Sequence, residues 1–427
     1  MVAAKASSTA RRDLNNIILL IFSGSLLLSV STIRTSAAPI EGACSSSGSL
    51  RTMARVYMAS GGYEKAQSFL VEALHLAKET DAPDSELSAC MLDLAYLYKN
   101  RGRWLQAERA CRSGLGLQEK AYSQSHPYVA YTLRILSEIY RNQARYREAA
   151  DTLERAITIV RGFSLEDDQE LAPFKVDMAR LLMAQGDYVK AEAYFKEVIK
   201  IIENSYGPNH LYTTRVLCSM AALYVHQKRF SEAKELMSRL LPIQERVYGP
   251  NHHFLVPAWL VQASIYKAEG NLVNTKMLLE KSLTAVENLT NSGRVIECDI
   301  LSRMGELYIS SKEYKKAEDI LQKALVILQS SEDTDSDRTA IALNSLAKLY
   351  IIQGKYSKAQ NLCARALDIL ENVFDEYHPS IADVLETQVR LNRETGNMMD
   401  AARIEQRAEE IRMRQRVVSA PVAKAAE

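Results

Sequence analysis

The segment LAKLYIIQGKYSKAQNLCARAL, from Leu346 to Leu367, decides the fold of this chain. In it Tyr350 is followed by glycine four positions later and by alanine nine and sixteen positions later. The aromatic slot recurs along the chain, first after 41 residues and then every 42. Its occupants are Tyr57, Tyr98, Tyr140, Leu182, Tyr224, Tyr266, Tyr308, Tyr350 and, in a degraded copy, Asn392. A fixed period of this size indicates a repeat architecture.

The slots that follow the aromatic keep the same register. Nine positions after it stand Ala66, Ala107, Ala149, Ala191, Ala233, Thr275, Ala317, Ala359 and Ala401. Sixteen positions after it stand Ala73, Gly114, Ala156, Val198, Leu240, Ser282, Ala324, Ala366 and Ala408. Four positions after it glycine is favoured, as Gly61, Gly102, Gly186, Gly270, Gly354 and Gly396. Small side chains let two helix backbones approach, and glycine ends a helix in the left-handed conformation without strain.

Each unit is therefore predicted to be a hairpin of two helices. In the unit quoted above, helix A covers about Leu343 to Ile352 and helix B about Ser357 to Glu371, because apolar residues recur at helical spacing in both. One hairpin cannot bury its apolar face alone, so neighbouring units must stack. The predicted fold is all-α, one solenoid of about nine helix-turn-helix units over residues 50–416.

These slots, with the segment LNSLAKLY from Leu343 to Tyr350, resemble the tetratricopeptide repeat. That family usually repeats at about 34 residues, so the longer period points to a subgroup. The added residues follow helix B, where linkers such as YGPNH, from Tyr206 to His210, resemble those of kinesin light chain repeats. The resemblance spans about Leu50 to Arg412 and implies a right-handed α-solenoid that binds other proteins.

Four linker histidines share the 42-residue register. They are His126, His210, His252 and His378. Successive copies lie about one repeat apart along a solenoid, and this distance is too long for one metal ion to bridge. We interpret each histidine as packed in its turn and hydrogen-bonded to backbone.

No motif of an enzyme is present. The sequence lacks HExxH, GxSxG and a phosphate-binding glycine loop, and the glycine pair Gly114 and Gly116 falls inside a helix B, where Gly114 fills a small-residue slot. The six cysteines form no zinc pattern, and the formal net charge of +1 offers no field for nucleic acid. We expect no enzyme activity, no cofactor, no metal and no nucleic-acid partner.

The predicted working surface is the concave groove lined by the A helices. Its outward-looking slots lie nine, six and two positions before the aromatic and one after it. The residues predicted to bind a partner there are Arg51, Arg55, Tyr96, Lys99, Arg134, Arg141, Arg180, Arg215, Asn344 and Lys348. Arginine is frequent in the first five units and pairs well with carboxylates, so one hypothesis is that the protein or peptide partner is acidic. The alternative is a solvated charged face balanced by nearby acids.

The resemblance does not extend to two binding devices of these families. Arg51 and Arg55 stand where chaperone-binding repeats use lysine and asparagine, so no carboxylate clamp of that kind is predicted. The asparagine pairs with which kinesin light chains grip cargo peptides are represented only by Asn344. The repeat and a habit of binding peptides therefore carry over, and a motor role does not.

Residues 1–38 form a leader. Arg11 and Arg12 precede an apolar run from Ile17 to Val30, and small residues follow it. This order predicts a secretory signal peptide or, if it is not cleaved, a signal anchor; the run is shorter than the about 20 residues that cross a bilayer. The leader contains only Asp13 as an acidic residue, so import into a chloroplast or mitochondrion is the alternative. There the chain would act as an assembly factor for a membrane complex.

The remaining predictions concern compartment and chain ends. Cys90 and Cys111 are nearly symmetric about the turn of their unit and are candidates for a disulfide, the alternative being two small buried residues. Asn288 begins a sequon that would accept a glycan in an exported protein. Residues 39–49 are predicted to be a linker and residues 417–427 a disordered tail.

Overall fold

The computed structural model describes residues 46–59, 62–163, 169–287, 291–330 and 336–419. The leader, Gly61, the sequon at Asn288 and the end of the predicted tail lie outside these ranges. Within them the chain is helical and contains no strand, and none of the helices is long and apolar enough to cross a membrane.

Eighteen α-helices follow one another as nine antiparallel hairpins in the described ranges. The A helices are α1 (Ser47–Ala59), α3 (Asp84–Asn100), α5 (Pro127–Asn142), α7 (Ala172–Ala184), α9 (Leu211–His226), α11 (Val256–Ala268, preceded by a 3-10 turn His253–Leu255), α13 (Asn291–Ser310), α15 (Asp337–Ile352) and α17 (Pro379–Glu394). The B helices are α2 (Tyr63–Glu79), α4 (Trp104–Tyr122), α6 (Tyr146–Phe163), α8 (Tyr188–Tyr206), α10 (Phe230–Tyr248), α12 (Leu272–Glu287), α14 (Tyr314–Ser330), α16 (Tyr356–Val373) and α18 (Met398–Ser419).

The repeat predicted from the sequence is confirmed as an all-α solenoid. The hairpins, which we number as units 1 to 9, agree with the spacing of the aromatic slot. In unit 8 the predicted helix B ends within two residues of α16, whereas α15 begins six residues earlier than predicted, at Asp337. Ser336 caps that helix, its hydroxyl accepting a hydrogen bond from the backbone N–H of Thr339.

Packing inside each unit depends on the small slots. The residues nine positions after the aromatic are all buried, from Ala66 to Ala401. Gly114 lies so close to α3 that an added Cβ would meet Leu92 Cδ2 at 2.9 Å, so it is a packing residue, as the sequence indicated. Gly305 on α13 is packed still more closely against α14, because a Cβ added to Gly305 would lie 2.5 Å from Leu321 Cδ2. Close helix contact therefore fixes residue size at these slots.

The turn between helices A and B has a positive φ four positions after the aromatic. Glycine fills that position in units such as unit 8, where Gly354 has φ of 71°. In three units a residue with a side chain takes its place, namely Ala144, Lys228 and Lys312, with φ near 60°. The conformation is strained in those units, because a Cβ crowds the following carbonyl.

Replacing Lys312 with glycine is expected to stabilise the fold. The gain should be about 0.5 to 1 kcal/mol, since relief of left-handed strain is partly offset by the greater freedom of glycine in the unfolded chain. Urea unfolding followed by circular dichroism would measure it. The matched control is Lys315→Gly, one helical turn later inside α14, where the same exchange should destabilise. A loss of stability in Lys312→Gly would contradict the strain argument.

A recurring ionic brace joins some neighbouring units. Glu192 of unit 4 accepts a hydrogen bond from the Tyr224 hydroxyl of unit 5 at 3.0 Å and pairs with Arg229 at 2.6 Å. Burial alone would raise the pKa of Glu192, but these donors lower it to about 2. Equivalent carboxylates act between units 2 and 3 and between units 7 and 8, as Glu108 and Glu318. The brace fixes the angle between units.

The solenoid also returns on itself after six units. The Nε2 atom of His378, in unit 9, lies 3.0 Å from the carbonyl oxygen of Asn142, in unit 3. One unit earlier on each side of this contact, unit 2 lies against unit 8. A Cβ added to Gly102 of unit 2 would lie 2.6 Å from Asp337 Oδ1 of unit 8. Trp104 packs in a core cluster whose other members all lie between residues 255 and 411. These contacts join two turns of the superhelix.

We call this contact the seam, formed by residues 101–104 and 142–145 on one side and by 336–338 and 374–378 on the other. The burial of two turns agrees with this definition of the seam. Arg101 and Gln143, in the turns of units 2 and 3, are 3% and 2% exposed, whereas Gln227 and Gln353 in equivalent turns are half-buried. The seam therefore covers two turns that face solvent elsewhere in the array.

The candidate disulfide between Cys90 and Cys111 is absent from this structure, where both thiols are free. Cys90 packs among residues of unit 1, beside Leu50. Cys111 points the other way, with its Sγ 3.8 Å from the carbonyl oxygen of Thr132 in unit 3. Burial raises the pKa of Cys111 to about 12, so the thiol is inert. The two residues fill opposite faces of one hairpin, which symmetry about the turn did not reveal.

Candidate functional site

The concave side of the array is the candidate site. The A helices of neighbouring units contact each other, as in α1 with α3, α9 with α11 and α15 with α17, whereas the B helices of neighbouring units make no contact of that extent in the described residues. The A helices therefore form the inner layer. Because the seam joins units 2 and 3 to units 8 and 9, this layer lines a channel that runs along the axis of the superhelix.

The predicted groove residues of units 1 to 5, from Arg51 to Arg215, form an arginine-rich stripe, and its first part is paired within the channel. Arg51 and Arg55 of unit 1 both bind Asp93 of unit 2, with nitrogen–oxygen distances of 2.7 and 2.9 Å. Lys99 of unit 2 donates to Glu138 of unit 3 at 2.9 Å. Burial alone would raise the pKa of Glu138, but the charge of Lys99 and nearby arginines lowers it. At this end the stripe is largely neutralised by acids of the next unit.

The middle of the stripe is only partly neutralised. Asp177 lies 3.5 Å from both Arg134 and Arg180. Arg141, deeper in the wall, has its pKa lowered by burial, and the charges of Glu138 and Asp177 counter this effect only in part. One carboxylate on unit 4 thus serves several guanidinium groups, and a positive surplus remains on units 3 and 4.

Arg215 of unit 5 increases that surplus. Its side chain is exposed in the channel, and no carboxylate in the described part of the chain forms an ion pair with it. Desolvation by the concave wall lowers the pKa of Arg215, and Arg180 and Arg134 lower it further because they carry the same charge. We call Arg134, Arg180 and Arg215 the arginine cluster; Arg134 and Arg180 share Asp177 as their carboxylate partner, and Arg215 adds a third positive charge beside them.

The other predicted groove residues differ in accessibility. Tyr96 is exposed, with the Lys99 ammonium 5.1 Å from the centre of its ring. Lys348 is exposed in unit 8, whereas Asn344 is buried there and its side-chain oxygen has no hydrogen-bond partner among the described protein atoms. Asn344 therefore belongs to the wall and not to the open surface, because α15 packs between its neighbours.

Sequence reasoning missed the carboxylates that neutralise the stripe. Asp93 and Asp177 both lie five positions before the aromatic slot, and Arg303 fills the same slot in unit 7. The structure shows that this slot also faces the channel. The shared position was a usable signal, since residues five and nine before the aromatic are one helical turn apart on the same face.

The linker histidines cap the helices that follow them. In each of the four, Nδ1 accepts a hydrogen bond from the backbone N–H two residues later, at 3.2 or 3.3 Å. The preceding aromatic stacks on the imidazole, as Tyr206 does on His210. The structural interpretation of the histidines is confirmed. Across the described ranges, no group of histidine, cysteine and carboxylate side chains could hold a metal ion.

Two family models match most of this architecture. The tetratricopeptide repeat model matches residues 171–246, 296–362 and 337–414. The MalT-like TPR region matches residues 45–206. The chain is a tetratricopeptide repeat protein. Proteins built from such repeats generally serve as interaction scaffolds without enzyme activity, and their partners are proteins.

Relatives place this tetratricopeptide repeat protein near the kinesin light chains. It is 26% identical over 145 residues to Protein KINESIN LIGHT CHAIN-RELATED 1 of Arabidopsis thaliana, covering 34% of this chain and 24% of that protein. The apo form of RapI matches with a TM-score of 0.50 and 10% identity, over 66% of this chain and 97% of that chain. A putative kinesin light chain from Podosopora anserina has a TM-score of 0.41 and 21% identity, over 47% and 94%. The structural likenesses concern the fold alone.

Proposed function

We propose that this protein is a non-enzymatic scaffold whose concave channel binds an acidic segment of a partner protein. The observation that carries the proposal is the arginine cluster, in which Arg215 is exposed and has no carboxylate partner within the described chain. Two guanidinium groups share one Asp177, and the nearby Arg215 adds a third positive charge, so a positive surplus remains at the centre of the channel wall. A carboxylate from a partner would neutralise it.

The array suits this task because its side chains are held before binding. Asp177 holds the side chains of Arg134 and Arg180, and the ion pair of Glu192 with Arg229 holds unit 4 against unit 5. A stiff surface loses little conformational freedom on association, so more of the interaction energy appears as affinity. Planar guanidinium groups also match carboxylates in two-point contact.

The test replaces Arg134, Arg180 and Arg215 together with glutamine. We expect a fluorescein-labelled twelve-residue peptide rich in glutamate and aspartate to bind at least about ten-fold more weakly, because charge-assisted hydrogen bonds are lost. Fluorescence anisotropy at two salt concentrations would measure the affinity. The matched control changes three exposed arginines of the B helices, Arg109, Arg147 and Arg161, to glutamine.

Two results would contradict the proposed function. Equal weakening in both triple variants would mean that binding follows net charge and not the channel. The second result is an equal affinity for the acidic peptide and for a peptide in which glutamine and asparagine replace its glutamate and aspartate. It would contradict the hypothesis that the partner is acidic. Circular dichroism of each variant, compared with the unmodified chain, confirms that the repeats remain folded.

The compartment proposed for the scaffold is the secretory pathway, and the alternative is an organelle in which it assists assembly of a membrane complex. The basic, acid-poor residues 1–38 support targeting of either kind. N-terminal sequencing of the mature protein would show whether the leader is removed. A glycan on Asn288 would support export and exclude the organelle.

A further inference from the structure

The seam differs from every other contact in the array. Next to the seam, α6 of unit 3 and α18 of unit 9 also touch, and among the helix pairs that make at least this much contact in the described residues, they are the single pair from units that are not neighbours. Each unit keeps the packing between its own two helices and its interfaces with the units on either side, so the repeats do not need the seam in order to fold. A contact of this kind can form and break while the helices stay intact.

The seam is also narrow and rests on specific small contacts. One polar contact across it is the hydrogen bond from His378 Nε2 to the Asn142 carbonyl, 236 residues away in sequence, and the charges of Asp375 and Arg145 also interact across it. Nδ1 of the same ring accepts from the Ser380 N–H, so the cap of α17 fixes the tautomer that donates across the seam. Trp104 adds apolar contact, while its indole nitrogen finds no partner among the described atoms.

We propose that the seam is a conformational clasp that opens as one unit and thereby controls access to the concave channel. In the closed state, units 2 and 3 touch units 8 and 9, and the channel is reached from its ends. In the open state the two edges separate as the four units between them, units 4 to 7, change their relative angles slightly, and a partner reaches the channel from the side. This regulation rests on the proposed function only in that the channel is the binding site.

Cys218 is a natural probe for the state of the channel. It occupies the groove slot six before Tyr224 and is partly exposed, whereas Cys90, Cys111, Cys298 and Cys363 are buried. Cys44, outside the described residues, is replaced by serine in all proteins used. A bulky polyethylene-glycol maleimide then reports access to the channel, and iodoacetamide reports the intrinsic reactivity of the thiol. No partner is needed for this measurement.

The first matched pair is His378→Asn and His210→Asn. Asparagine is a good N-cap, so both variants keep their helix starts, but only the first loses a bond across the seam. We expect the bulky reagent to label Cys218 about five-fold faster in His378→Asn, the effect of one lost hydrogen bond on the closed state. His210→Asn and the small reagent should show no change. Amide hydrogen exchange at residues 142–145 should accelerate in parallel.

The second matched pair acts from the other side of the seam. Gly102→Asp places a carboxylate against Asp337, whereas Gly354→Asp makes the same change in an equivalent turn with open space around it. Faster bulky labelling in Gly102→Asp alone supports the clasp. The clasp proposal would be overturned if the bulky reagent labelled Cys218 at an unchanged rate in both seam variants, His378→Asn and Gly102→Asp. It would also be overturned if amide exchange at residues 142–145 became faster while labelling did not. Either result leaves the peptide-binding test of the arginine cluster unaffected.

Discussion

Gly114→Leu is expected to destabilise the protein by about 3 kcal/mol, whereas Gly116→Leu, two residues along the same helix, should stabilise it slightly. The space around the two glycines differs. A Cβ at Gly114 would lie 2.9 Å from Leu92 Cδ2 and 3.3 Å from Met91 Cβ, while a Cβ at Gly116 would meet nothing within 4 Å. The substitution at Gly114 therefore forces α3 and α4 apart.

The pair isolates packing from helix propensity. Both changes remove a glycine from α4 and add the same side chain, so the gain in helix propensity, about 0.5 to 1 kcal/mol, is common to both. Urea unfolding followed by circular dichroism would measure the difference in stability between the two variants. In Gly114→Leu we expect hydrogen exchange to show that unit 2 opens first. Equal stability of the two variants would mean that backbone approach at the small slot does not hold the hairpin together.

The free energy of unfolding should fall by about 3 kcal/mol between pH 6.5 and pH 4 because of His378 alone. Burial in the seam lowers the pKa of His378 to about 4, from the usual 6.5, and the bond to Asn142 offsets only part of that effect. The native ring stays neutral while the unfolded chain takes up a proton. Stability is therefore complete above pH 6.5, declines as the pH falls, and declines no further from this source below about 4.

The measurement is the urea midpoint of the intact chain and of His378→Asn at several pH values. Groups near the ring also carry charge, chiefly Asp375, with Arg145 and Arg414 beside it, so the difference between the two proteins is the relevant quantity. The control variant is His210→Asn. Burial also lowers the pKa of His210, but this residue does not lie in the seam. If His378→Asn were as acid-sensitive as the intact chain, His378 would not be the group responsible.

The positions of some residues of the candidate site could be predicted from the sequence and those of others could not, for separable reasons. The slots of Arg134, Arg180 and Arg215 followed from helical periodicity, and these side chains do lie together in the channel. The neutralising partners Asp93 and Asp177 escaped because the slot five before the aromatic had not been assigned to the channel. Asn344 was misplaced because burial of one face by neighbouring units depends on the angle between them.

The sequence by itself determined the hairpin, the number of units, the backbone hydrogen bonding of the linker histidines and the size limits at the small-residue slots. All of these depend on contacts within a unit or between neighbours, and such contacts repeat with the 42-residue period. Only the tertiary structure decided the seam, which joins His378 to Asn142. Whether two turns meet depends on a small rotation per unit summed over six units, and no single residue encodes that sum.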